Sequence, residues 1–206
     1  YRGCVNTIMM PPTVDLKAEK WNRNRELTSG HKIKLVYAGN AGFGIKDRLD
    51  IIVKAVVKYS NIQLDVIGMN ENNYINGYGS LPKECNNIIF HGRISHAEAV
   101  KAVQNADFQF LIRDSNRKNN AGFPTKLVES MACCTPIIAT LTSNIGDYLI
   151  DGQNGYVVDD CHSLVDVLDS ISRLSSSEIV KMKEACRDMA VFDYHEYKNI
   201  IEKIFR

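Results

Sequence analysis

From residue 33 onward the chain alternates short β-rich runs with longer helical stretches, and few architectures accept that order. The pattern predicts strands over 33–38, 62–67, 88–90, 107–112, 136–139 and 155–158. Helices are expected near 47–59, from 95 to about 104, from 124 to about 133, and over about 162–173, 176–190 and 194–205. In the first of these, Leu49, Ile52, Val53, Val56 and Val57 share one face at helical spacing. Ser95 and Glu98 have the spacing of a capping box, and Pro124 suits a first helical turn. A polar loop is expected from Gly68 to about residue 86. Strands separated by helices form βαβ units, so the chain predicts an α/β fold, a Rossmann-like parallel sheet of about six strands with helices on both faces. Ligands of such sheets bind beyond the carboxyl ends of the strands, which singles out the loops at 39–46, 91–95 and 113–126.

With 206 residues the chain can bury one sizeable core. Its formal charge of +1 gives no general electrostatic case for nucleic acid or an anionic membrane, so a basic site must be local. No apolar run approaches the roughly 18 residues needed to span a bilayer. Cys4, Cys85, Cys133, Cys134, Cys161 and Cys186 include no CxxC pair, which argues against a zinc site and for buried thiols in a reducing cytoplasm. No Asp-x-Asp pair occurs, so neither a metal–diphosphate site nor any other metal or cofactor is expected. The start at Tyr1 has no initiator Met and no signal-peptide layout, and reads as a chain cut from something longer. Residues 1–32 fall outside the alternation. Met9-Met10-Pro11-Pro12 is stiff and extended, and the polar stretch after it carries Trp21, the one tryptophan. This segment is expected to be a linker and arm arriving from a preceding domain, rather than a mere surface strap.

The stretch from Arg113 through Gly122, Phe123, Pro124, Thr125, Lys126 and Leu127 to Glu129 leaves a strand with several cations, passes a glycine and enters a helix. The first amides of a helix lack internal partners and sit at the positive end of its dipole. An anion therefore suits the amides of Thr125, Lys126 and Leu127, with Lys126 or Arg113 to neutralise it. Glu129, deeper in the same helix, is placed to accept hydrogen bonds from a vicinal diol such as ribose. As a bare spacing, Lys126 and Glu129 also fit a solvated i,i+3 pair. Gly39-Asn40-Ala41-Gly42-Phe43-Gly44 has its glycines as GxxGxG, not the dinucleotide GxGxxG, which sets NAD aside. Lys46 follows this loop and could share an anion with Lys126. After the third strand, the backbone of Arg93 and Ile94 could read a nucleobase edge. His91 reads as structural, with no Ser–His–Asp or Cys–His set around it. Asp159-Asp160 reads as a helix cap.

These segments, in this order, resemble the C-terminal, donor-binding domain of glycosyltransferase group 1 (family 4) enzymes, one half of the two-domain GT-B fold. Met10 to Asp15 resembles the linker from the N-terminal domain, and Leu35–Gly39 with Lys46-Asp47 resembles the first strand and phosphate loop. Ile88 to Ile94 is similar to the base-proximal segment. Gly122 to Ala132 with Thr135 to Ala139 is similar to the donor signature. Asp151 to Val158 resembles the loop and strand that follow, and Phe192-Asp193-Tyr194 the start of a terminal crossover helix. The resemblance implies a linker and arm at 1–32, a nucleotide-sugar-binding domain at 33–190, a crossover helix at 191–206, and an acceptor domain that this chain lacks. It implies transfer with retention from a nucleotide diphosphate-sugar, without metal, in bacterial surface polysaccharide or glycolipid synthesis. Lys46 and Lys126 would stabilise the leaving diphosphate with the helix start at 124–127, Glu129 would hold the ribose, and Arg93–Ile94 the base. The acceptor, a sugar or lipid-linked sugar, would come through the missing domain. The isolated chain is then expected to be inactive, and the whole enzyme to be cytoplasmic, with room for peripheral association at the inner membrane face.

Three positions depart from the family pattern. The first of two glutamates eight apart falls on Ala121, and the arginine of the first loop falls on Asn40. The glycine after the signature helix is Cys134, at a cost of about 1 kcal/mol if a left-handed backbone is required there. Arg113 and Lys126 are extra cations that could replace the lost arginine. The alternatives are another GT-B enzyme, such as a sugar-nucleotide epimerase, and a degenerate nucleotide-binding or scaffolding module.

Overall fold

The computed structural model describes residues 10–21, 32–39 and 46–204. Six parallel strands form one sheet: β1 (Ile33–Ala38), β2 (Ile62–Ile67), β3 (Ile88–Gly92), β4 (Phe108–Leu111), β5 (Ile137–Ala139) and β6 (Gly155–Val157). They lie in the order β3-β2-β1-β4-β5-β6, the expected Rossmann-like arrangement. All four residues of β4 are buried, as a strand covered on both faces requires.

The α-helices are α1 (Leu49–Val56), α2 (Glu71–Tyr78), α3 (His96–Asn105), α4 (Arg117–Asn120), α5 (Thr125–Ala132), α6 (Cys161–Ile171), α7 (Ser176–Arg187) and α8 (Lys198–Ile204). Because strand side chains alternate, Leu35 and Tyr37 meet α1 and α6 through Leu49, Ile52, Leu164 and Leu168. Val36, between them in sequence, faces the other way, onto Val100 and Val103 of α3. On that face Leu127, Val128 and Met131 of α5 pack on Leu111, Ile137 and Ala139. The Ser95–Glu98 capping box forms in full, and Asp160 caps α6 by accepting from the amides of His162 and Ser163, both at 2.8 Å.

Three expectations need correction. The polar loop after Gly68 contains α2. Asn70 and Asn73 cap it reciprocally, and Tyr74 anchors it in the core at 1% exposure, a single contact too sparse to show as a periodic stripe. The helix expected from 47 starts at Leu49, because Asp47 turns its side chain inward and Arg48 donates its amide to Ile112 O at 2.8 Å. The terminal helix is split into a 3₁₀ turn, Tyr194–Tyr197, and α8.

Of the first 32 residues, 1–9 and 22–31 lie outside the described part. Residues 10–21 lie against the domain: Val14 exchanges backbone bonds with Phe192 and Tyr194 at 2.9 and 3.1 Å, and Trp21 is buried with Val36, Val100 and Val103. The segments entering and leaving the domain are thus tied together. Asp193, whose carboxylate is 2.7 Å from His195 Nδ1, reinforces the tie, with Asp15 beside it.

Candidate functional site

Strand order reverses between β1 and β4, so the loops leaving these two strands diverge and open a crevice at their carboxyl ends. Four charged residues meet there: Lys46 and Asp47 from the β1–α1 connection, Arg113 just past β4, and Lys126 in the first turn of α5. Asp47 is at the centre. Its Oδ1 accepts from Arg113 Nε at 2.6 Å, and its Oδ2 accepts from Lys126 Nζ at 2.5 Å and from Tyr37 OH at 2.8 Å. The backbone carbonyl of Asp47 accepts from Tyr78 OH at 2.8 Å. Lys126 Nζ also stands 4.6 Å from the centre of the Tyr37 ring, within cation–π range. Gly39 makes room for this, since a Cβ there would overlap Lys126 Nζ.

The side chains of Asp47 and Arg113 are only 5% and 6% exposed. Burial pushes the Asp47 carboxyl upward, but Lys126 and Arg113 outweigh it and hold the carboxyl at about 2. Burial pulls the Lys126 ammonium below its usual range, and Asp47 is the group that opposes this, while Arg113 and Lys46 add to it. Arg113 and Lys126 thus bind one carboxylate, with Lys46 near enough to act on Lys126, and the crevice is left net positive. Arg113 is held by a two-way bridge to Thr140, whose hydroxyl accepts from the Arg113 amide and donates to its carbonyl, each at 2.8 Å. Its Nη1 is buried with no hydrogen-bond partner among the described residues.

The connection from β4 to α5 is stitched by its own side chains. Asn116 caps Asn119, Asn119 reaches Asp114 O at 2.8 Å, and Asn120 Oδ1 accepts the Ser143 amide at 3.1 Å. Phe123 sits edge-on to Tyr148 at 5.4 Å and tilted to Phe192, which anchors the loop in an aromatic cluster. Ala121, Gly122 and Thr125 are exposed, so α5 opens to the surface rather than against the protein's own side chains. Pro124 is buried, and Leu127 is buried with its amide bonded to Pro124 O at 3.0 Å. Among the described residues the amides of Thr125 and Lys126 have no acceptor, so they are the donors available at this helix start.

Glu129 is 40% exposed and faces α3, its Oε1 3.6 Å from His96 Nε2. Lys126 pairs with Asp47, not Glu129, so the i,i+3 surface pair of the sequence reading does not form. Arg93 is exposed and Ile94 half-buried at the mouth of the β3–α3 connection. His91 bonds Asp65 at 2.8 Å and is structural, as expected. Asn40 lies outside the described residues. Asp47 is the member that sequence reasoning missed as a site residue, because nothing in its spacing shows that Arg113 and Lys126 converge on it. A cavity of about 550 Å³, lined by Arg48, Arg113, Asp114 and Thr140, adjoins the cluster on the β5–β6 side. A wider groove of about 830 Å³ runs along α3 and α7 and approaches the site only at His96. Among the described residues no helix is long and apolar enough to cross a membrane.

The sequence profile of the family described as glycosyl transferases group 1 matches residues 20–190. An uncharacterized glycosyltransferase of Methanocaldococcus jannaschii, MJ1178, is 27% identical over 144 residues, which are 67% of this chain and 40% of that protein. HepE of Anabaena, solved in complex with UDP and glucose, superposes with a TM-score of 0.67 at 13% identity, covering 85% of this chain and 48% of HepE. WaaG, a glycosyltransferase involved in lipopolysaccharide biosynthesis, superposes with a TM-score of 0.66 at 14% identity, covering 95% of this chain and 54% of WaaG. The chain thus spans about half the length of the proteins it matches.

Proposed function

Because the chain belongs to the group 1 glycosyl transferases, we propose that it forms the donor-binding half of a retaining enzyme that takes a sugar from a nucleotide diphosphate-sugar. The observation that carries this reading is the net positive crevice at the β1–β4 switch point, where Arg113 and Lys126, with Lys46 nearby, adjoin two amides at the start of α5 that have no acceptor among the described residues. Negative charge builds on the diphosphate as the glycosidic bond breaks, so fixed cations and amides lower the barrier without reorganising. In this reading Lys46 and Lys126, with the Thr125 and Lys126 amides, receive the diphosphate. Gly122 lies against it, Glu129 holds the ribose and Arg93–Ile94 face the base. Phe123, Pro124 and Leu127 act by holding the loop and the first turn of α5 in place.

UDP and glucose in HepE make a uridine nucleotide the first ligand to try. WaaG supports a setting in surface polysaccharide or glycolipid synthesis. The acceptor enters from a second domain, and the isolated chain does not turn over. Calorimetry of the full-length protein with UDP, GDP and ADP is the test: one of them binds with micromolar to millimolar affinity, and no binding by any of the three overturns the reading.

A further inference from the structure

Asp47 has no place in the donor contacts above, yet it is the most connected group in the crevice. We infer that Asp47 is a positioning residue, which keeps Lys126 charged and aimed at the donor diphosphate by binding it from behind. This rests on the donor-binding reading of the same crevice.

A lysine buried to this degree tends to lose its proton, because the charged form gives up hydration that apolar walls cannot replace. Lys126 is exposed on its side chain by only 17%. The charged and titratable groups that face it are Asp47 and Lys46 from the β1–α1 connection, Arg113 from the end of β4, and Tyr37 on β1. Arg113 and Lys46 both oppose a positive charge on Lys126. Asp47 is the one carboxylate among them. It also fixes direction, since Oδ2 is itself held by Tyr37 OH while Oδ1 is held by Arg113. The cation is thus clamped on one side, and Arg113 Nη1 has no partner among the described residues. A residue acting this way touches no substrate, and its removal shows first in the charge state of Lys126.

The test uses the full-length protein and the variants Asp47→Asn, Lys126→Met and their double. Affinity for whichever of UDP, GDP and ADP binds the wild type is measured by calorimetry from about pH 7 to about pH 9, a range in which a model lysine keeps its proton. Wild-type affinity is expected to be nearly flat. Asp47→Asn is expected to weaken as pH rises through that range and Lys126 deprotonates, approaching the affinity of Lys126→Met. Lys126→Met is weak and flat, and adding Asp47→Asn to it changes affinity less than about twofold, since the path through Lys126 is already gone. A carbon-13 lysine titration by NMR, with the Lys126 signal assigned by its loss in Lys126→Met, reads the same charge without nucleotide. Failure of every nucleotide to bind wild type removes the donor reading, whereas the NMR titration still decides the role of Asp47. Should Asp47→Asn fail to fold, the comparison of Lys126→Met with the double variant decides it. Equal pH profiles in wild type and Asp47→Asn overturn the proposal. So does an unshifted Lys126 signal, or a full additional loss in the double variant.

Discussion

The ammonium of Lys126 lies 2.5 Å from the carboxylate of Asp47, across 79 positions of sequence. With Arg113 on the second oxygen, Asp47 joins the β1–α1 connection, the end of β4 and the start of α5.

Removing that carboxylate leaves two buried cations without a partner. Asp47→Ala is expected to lose about 3–5 kcal/mol of stability, the usual result of breaking a buried ion pair from one side. Urea denaturation checks this, and a loss below about 1 kcal/mol would show the pair to be structurally idle.

The same carboxylate predicts an acid-sensitive fold. Its folded pKa, about 2, is below the ordinary value of 3.8, so the unfolded chain binds the proton more readily. The stability it contributes is complete above about pH 4 and disappears as pH falls toward 2. In Asp47→Asn that part of the pH–stability curve should flatten, as measured by thermal melts between these limits.

Lys126→Ala removes a charge-assisted contact to the diphosphate. A loss of about 1.5–3 kcal/mol, or roughly 10- to 100-fold in affinity, is expected in calorimetry with nucleotide diphosphate. Unchanged affinity would refute its role.

Glu129 is predicted to grip the ribose. Wild type should then prefer UDP over 2′-deoxy-UDP by about tenfold, the worth of one hydrogen bond to a charged group, and Glu129→Gln should reduce that preference. Equal losses for both nucleotides would assign Glu129 to something other than the sugar.

Cys134 has φ 53°, in the left-handed region. Replacing it by Gly or Ala removes the same thiol, so the two variants differ only by Cβ. Cys134→Gly is expected to be more stable than Cys134→Ala by about 1 kcal/mol, readable in paired denaturation curves.

These residues differ in how far the sequence discloses them. The capping of α3 by Ser95 and of α6 by Asp160 was legible because a cap is made with amides two or three positions away. The positive φ at Cys134 was legible through the resemblance, as a place where glycine is usual. By contrast, α2 was missed because one buried tyrosine and an Asn–Asn cap leave no apolar stripe in a polar stretch. The aromatic cluster of Phe123 with Tyr148 and Phe192 was not legible either, because it forms only when distant segments meet.

Strand and helix periodicity, settled by side-chain geometry within a few residues, determined from the sequence alone that this is a parallel α/β sheet, and pointed to the loops at its strand ends. Which charges share that site was decided only by the tertiary structure. Strand order sets β1 beside β4, α5 packs on β4 and β5, and burial then draws Arg113 and Lys126 onto the single carboxylate of Asp47. Such pairing is the consequence of low dielectric and proximity, neither of which is written in the spacing of residues along the chain.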